Sequence, residues 1–168
     1  GAQGMPQRHR IQARADHRTG LVTYVTGGDP DAARSAEILR GLDRAGADVL
    51  GVGVPFSDPL ADGPVIQRAS ERALAAGGNL SRTLDLIAQI RVDVQAAVVV
   101  FTYANPIFKM GTDAFAARAA AAGVDGVLVL DLPIEEAGPF RQTVVDAGID
   151  PIFLLSPTTT DARIRKAA

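Results

Sequence analysis

The chain has 168 residues, 47% of them hydrophobic, and 17 Lys and Arg against 19 Asp and Glu leave a net charge of −2. This is the profile of one globular domain without a domain-wide basic surface, and its two Tyr and six Phe are not interleaved with cations, so nucleic acid is not an expected partner. The absence of cysteine excludes disulfides, thiolate metal ligands and cysteine nucleophiles, in keeping with a cytoplasmic location. The longest apolar run, Ala96–Phe101, is the length of a strand and not of a membrane span.

Residues 1–20 form a basic segment with Arg8, Arg10, Arg14 and Arg18 but without the apolar core of a secretory signal; His9 and His17 fall here and are expected to be exposed. From Leu21 to Ala168 short β-branched runs alternate with stretches of helical spacing, which predicts one domain of repeated βα units. The predicted strands are Leu21–Thr26, Val49–Val54, Ala97–Tyr103, Gly126–Leu130 and Pro151–Leu155, all read as buried and parallel because both faces are apolar. Asp29-Pro30 predicts the start of the first helix, with Ile38, Leu39, Leu42 and Ala45 on its apolar face and Gly46 closing it. Pro64–Ala76 and Ser81–Arg91 follow, split by Gly77-Gly78, with Leu80, Leu84 and Ile87 as the stripe of the second. Thr112–Ala122 is anchored by Phe115, Pro139–Ala147 carries Phe140, Val144 and Ala147, and Thr160 caps a last helix running to Ala168.

Five consecutive units of about 30 residues, one interval being doubled, point to a (β/α)8 barrel, which needs about 250 residues when complete. The expected architecture is therefore an incomplete barrel with five of the eight strands; an open five-stranded sheet of flavodoxin type is the alternative at this length.

In parallel α/β folds the ligand sits in the loops after the carboxyl ends of the strands. The loop Pro55-Phe56-Ser57-Asp58-Pro59-Leu60-Ala61-Asp62-Gly63-Pro64 stands out, with two carboxylates four residues apart and stiffened by prolines. From the residues alone, Asp58 reads equally as a turn residue before Pro59, and Asp62 as the cap of the helix entered at Pro64. Gly51-x-Gly53-x-x-Phe56 lacks the third glycine of a dinucleotide fingerprint and sits in a strand. Phosphate-loop, nucleophile-elbow and histidine-metal motifs are not found, so no metal site is expected.

The same ten-residue loop, followed by Ile66-Gln67 and Ala69, closely resembles the signature of the tryptophan synthase α subunit. Tyr24-Val25-Thr26-Gly27-Gly28-Asp29-Pro30, Gly46-Ala47-Asp48, Tyr103-Ala104-Asn105-Pro106, Gly123-Val124-Asp125-Gly126, Asp131-Leu132-Pro133-Ile134-Glu135-Glu136 and Pro151-Ile152-Phe153 extend the resemblance. It implies a (β/α)8 (TIM) barrel that cleaves indole-3-glycerol phosphate to indole and glyceraldehyde 3-phosphate in tryptophan biosynthesis. No cofactor is needed; pyridoxal phosphate belongs to a partner β subunit in an α2β2 complex. Asp62 matches the catalytic Asp that accepts the indole N–H. Tyr24, Phe101, Tyr103, Leu128, Leu130 and Leu154 match positions lining the indole pocket, and Asp58, Asn105 and Pro133 match loop positions near the β-subunit contact.

Two departures carry expectations of their own. Gly51 stands where the family has its second catalytic carboxylate, a Glu, so the proton carrier for the indole C3 carbon is missing. The loops that bind substrate phosphate in the family lie beyond the fifth strand. The resemblance thus implies an inactive lyase chain, with a non-catalytic module docking on the β subunit as the second reading and an unrelated phosphate-sugar barrel enzyme as the third.

Overall fold

The structure is a computed structural model that describes residues 20–154 and 157–167. Residues 1–19 of the basic amino-terminal segment, with His9 and His17, lie outside the described residues, as do Leu155, Ser156 and Ala168. Five strands, β1 (Val22–Thr26), β2 (Val49–Gly53), β3 (Ala97–Thr102), β4 (Gly126–Val129) and β5 (Asp150–Ile152), form one parallel sheet in the order β1-β2-β3-β4-β5. A flavodoxin-type sheet is ruled out by that order, because every new strand is added to the same edge, as in a barrel under construction.

Seven helices are described: α1 (Ala32–Arg44), α2 (Pro64–Ala75), α3 (Leu80–Arg91), α4 (Ala104–Met110), α5 (Thr112–Ala122), α6 (Gly138–Asp146) and α7 (Asp161–Ala167). They bury one face of the sheet. Leu50, Val52, Val98, Val100 and Val127 meet Leu39, Leu84, Ile87, Ile90, Phe115, Phe140 and Val144 in a single core. The period of two in each strand sends the intervening residues to the opposite, concave face.

Some details depart from the expected pattern. α1 is capped by Asp31, whose carboxylate accepts the Arg34 N–H at 2.8 Å, and Asp29 instead pairs with Arg72. Ser35, Ala36 and Leu39 are the buried residues of α1, while Ile38 is 42% exposed and Ala45 is exposed. α4 falls where Ala104-Asn105-Pro106 read as a loop; proline is tolerated in a first turn, where the backbone N–H groups lack helical partners anyway. β1 and β5 are not buried strands: Val22 is 63% exposed and all three residues of β5 are half-buried, since each strand is flanked on one side only among the described residues.

The amino end of the sheet repeats one device. Ala-Gly-apolar-Asp recurs at 45–48, 122–125 and 147–150. The glycine takes a left-handed φ, +103° at Gly46 and +89° at Gly123, that other residues adopt only with strain, and so turns the chain out of the helix. The apolar residue is buried, and the aspartate reaches across to the preceding strand. Asp48 accepts the Leu21 N–H at 2.8 Å and Asp125 the Val98 N–H at 2.9 Å. At the carboxyl end the ladder runs on into the loops, where the Gly27, Val54 and Leu130 amides bond to the neighbouring strands' Gly53, Phe101 and Thr102 carbonyls. The loops that carry the candidate residues therefore leave a fixed rim.

Candidate functional site

β2 ends at Gly53, and the following loop folds back over the carboxyl rim to place Asp62 against the end of β3. Asp62 does not cap α2: Gly63 is the N-cap residue, without a side-chain bond, and Pro64 opens the helix. The Asp62 carboxylate instead accepts a hydrogen bond from the Tyr103 hydroxyl at 3.1 Å. The same Tyr103 oxygen accepts the Ala61 N–H at 2.9 Å, and the Gln67 side-chain amide donates to the Asp62 carbonyl at 2.8 Å. Phe56 stacks on the Tyr103 ring with centroids 5.0 Å apart and 27° between planes. One tyrosine thus fixes both ends of the loop, by its face and by its hydroxyl. Phe56 and Gln67 were legible as part of the signature, but their roles depend on a return contact that spacing does not show.

Burial pushes the Tyr103 phenol up to about 12, the Ala61 N–H opposing and the Asp62 and Asp131 charges adding to it. Tyr24 is also raised, first by burial, with the Thr26 hydroxyl opposing and the Asp62 charge adding. These are the chain's only tyrosines. Neither is expected to ionise near pH 10, where a free phenol does, and Tyr103 is expected to do so only at about pH 12. The folded state then holds its phenolic protons more tightly than the unfolded chain. Their contribution to stability is complete below about pH 10 and is lost above it, for Tyr103 as the pH rises towards about 12. Phenolate absorbance in native and urea-unfolded protein checks this; native titration near pH 10 would contradict it.

The concave face brings together part of the predicted set. Tyr24 pairs in register with Gly51, Phe101 with Gly53 on one side and with Leu128 on the other, and Tyr24 meets Phe101 edge to face at 5.3 Å. Leu128 is buried. Leu130 and Leu154 lie further round the rim, where they line a cavity of about 280 Å³ with Pro133, Asp131, Phe153 and Arg163; Leu154 is 67% exposed. Asp58 is exposed in the loop after β2, while Asn105 lies in the first turn of α4 and lines a groove of about 320 Å³ with Phe56, Ser57, Pro106 and Lys109. Asp58, Asn105 and Pro133 share the carboxyl rim, although Pro133 belongs to a different hollow from Asn105. Among the described residues no three His, Asp or Glu side chains come together as a metal ion would require. Gly51 is buried and supplies no acid or base.

What this arrangement offers is a carboxylate held at the mouth of an aromatic-lined concave sheet, ready to accept a hydrogen bond from a flat ring. Residues 11–168 match the sequence model of the tryptophan synthase alpha chain. The chain belongs to that family. The tryptophan synthase alpha chain of Burkholderia thailandensis is 58% identical over 151 residues, covering 89% of this chain and 56% of the relative. That of Burkholderia cenocepacia strain HI2424 is 58% identical over 148 residues, covering 88% and 55%. Among solved structures, the alpha subunit of Legionella pneumophila strain Paris superposes with a TM-score of 0.92 at 39% identity, over 97% of this chain and 63% of that one. The tryptophan synthase α2β2 complex of Pyrococcus furiosus gives 0.83 at 39% identity, covering 88% and 63%. The family match makes the sheet part of a TIM barrel, and the chain spans about half the length of these curated relatives. No helix among the described residues is long and apolar enough to cross a membrane.

Proposed function

We propose that this chain forms the indole-binding part of an indole-3-glycerol-phosphate lyase whose proton carrier has been lost. The observation that carries the reading is the Asp62 carboxylate, fixed by Tyr103 beside the aromatic concave face. In the retro-aldol reaction a proton adds to ring carbon C3 and the bond from C3 to the glycerol carbon breaks. The hydroxyl on that carbon loses its proton and becomes the aldehyde. Positive charge develops on the ring nitrogen meanwhile, and a carboxylate accepting the N–H stabilises it. Asp62 is placed for this task, whereas Gly51 cannot deliver the proton to C3. The reaction calls for no cofactor; pyridoxal phosphate belongs to the β subunit with which such a chain associates.

A second reading, a module that docks on the β subunit without chemistry of its own, draws support from the rim. Leu60 is 84% exposed at the tip of the loop, beside the exposed Asp58. An exposed apolar side chain next to a carboxylate on a proline-stiffened loop is what such a module would present to its partner.

Indole binding tests the first reading on the chain as it stands. With no tryptophan in the sequence, indole excited beyond the tyrosine absorption band fluoresces without protein background. Saturable binding is expected, and Asp62→Ala should weaken it about 10–100-fold, the worth of a hydrogen bond to a charged acceptor. Equal binding by the two proteins would refute the assignment.

A further inference from the structure

Gly51 and Gly53 lie two apart on β2 and so face the same way, opposite to the core residues Leu50 and Val52. The space above them is already filled. A Cβ placed on Gly51 would lie 2.9 Å from Phe101 Cε2 and 2.8 Å from the Thr23 carbonyl oxygen. A Cβ on Gly53 would run into the Tyr24 hydroxyl and come within 2.7 Å of Tyr24 Cζ. Tyr24 stands on β1 and Phe101 on β3, and their rings meet edge to face at 83°. Two aromatic side chains from the flanking strands thus lean over a middle strand without side chains and close the floor of the concave face.

We propose that Phe101 is a specificity-determining residue of this pocket. Its ring takes the volume that a side chain at position 51 would need, so the loss of a carboxylate there and the presence of a bulky ring on β3 are one steric unit. It follows that a glutamate at 51 needs both a smaller residue at 101 and a small shift of the β1 backbone at Thr23, and that the ring sets how large a flat ligand the floor admits. Over Gly51 the floor is closed by a hydrocarbon edge, which favours an unsubstituted aromatic ring there, while the Tyr24 hydroxyl over Gly53 is the polar group nearby.

The steric claim does not depend on what the pocket binds; the ligand claim rests on the proposed indole site. Thermal unfolding of Gly51→Ala, Phe101→Leu and the double variant separates them. Gly51→Ala alone is expected to lower the midpoint by roughly 3–10 °C, the usual cost of overpacking a domain of this size. In the Phe101→Leu background the shift should shrink, because the overlap with the ring is relieved while the 2.8 Å approach to the Thr23 carbonyl remains. Indole and its ring-methylated derivatives are then titrated into the wild-type chain and Phe101→Leu. At least one methylindole should gain about three- to tenfold relative to indole in the variant, the worth of one or so buried methyl groups. Equal midpoint shifts in the two backgrounds would overturn the proposal, as would unchanged selectivity in a variant that still binds indole. Coupled midpoints with no indole binding by any protein would leave the packing claim standing and refute the proposed function.

Discussion

Asp125→Ala is expected to destabilise the chain by about 3–5 kcal/mol, a loss of roughly 6–20 °C in the thermal midpoint. Asp125 is 2% exposed. Its carboxylate accepts the buried Val98 N–H at 2.9 Å and faces the Arg91 guanidinium at 3.4 Å, while Arg91 also donates to the Ala96 carbonyl at 3.0 Å. Removing the carboxylate strands an amide and a largely buried cation together, the situation in which breaking a buried pair costs most. The loss falls where β3 and β4 meet at the foot of the sheet. Asp125→Asn keeps an acceptor for the Val98 amide and should recover part of the loss. Asp85→Ala, which removes the exposed partner of Arg118, should cost at most about 1 kcal/mol. Urea unfolding of the three variants measures the series; an Asp125→Ala chain within 1 kcal/mol of the wild type would contradict it.

The succession of elements could be read from the residues because it rests on local chemistry. β-branched runs and Gly46 or Gly123 after a helix mark strand starts and helix ends wherever they occur. Errors arose where a tertiary contact outranks a local signal. Asp29-Pro30 has the look of a helix start, yet Asp29 is claimed by Arg72, and Asp31 takes the cap. Asn105-Pro106 looks like a loop, but the Ala104 N–H is held by the Asp131 carboxylate at 2.7 Å and the segment turns into a helix there. β1 and β5 have the composition of central strands, and each is flanked on one side only among the described residues.

The site was legible to a similar depth. The spacing of Asp58 and Asp62 left their roles open, and the resemblance chose between them; the Tyr103 hydroxyl on Asp62 is a contact across 41 positions in sequence that no local pattern encodes. The same limit applies to Gly51. The resemblance makes it the place of an expected carboxylate, and in the fold a Cβ there would lie 2.9 Å from the Phe101 ring and 2.8 Å from the Thr23 carbonyl. On the proposed reading, a glutamate at 51 therefore calls for a second substitution at 101.

This last point yields the second large effect, and turnover of indole-3-glycerol phosphate measures it. The chain is joined to the carboxyl-terminal portion of the Burkholderia thailandensis relative to supply the part of the barrel that the relative has in addition. With Gly51 and Phe101 in place, indole formation is expected to stay at background. G51E with F101L should raise it by about 10²–10⁴-fold, the contribution of a positioned acid–base group, and G51E alone should recover much less. Asp62→Ala in the restored barrel should remove the gain. A completed barrel that turns over equally well with Gly51 and with the paired substitutions would contradict the claim that an intact Asp62 site has lost its proton carrier.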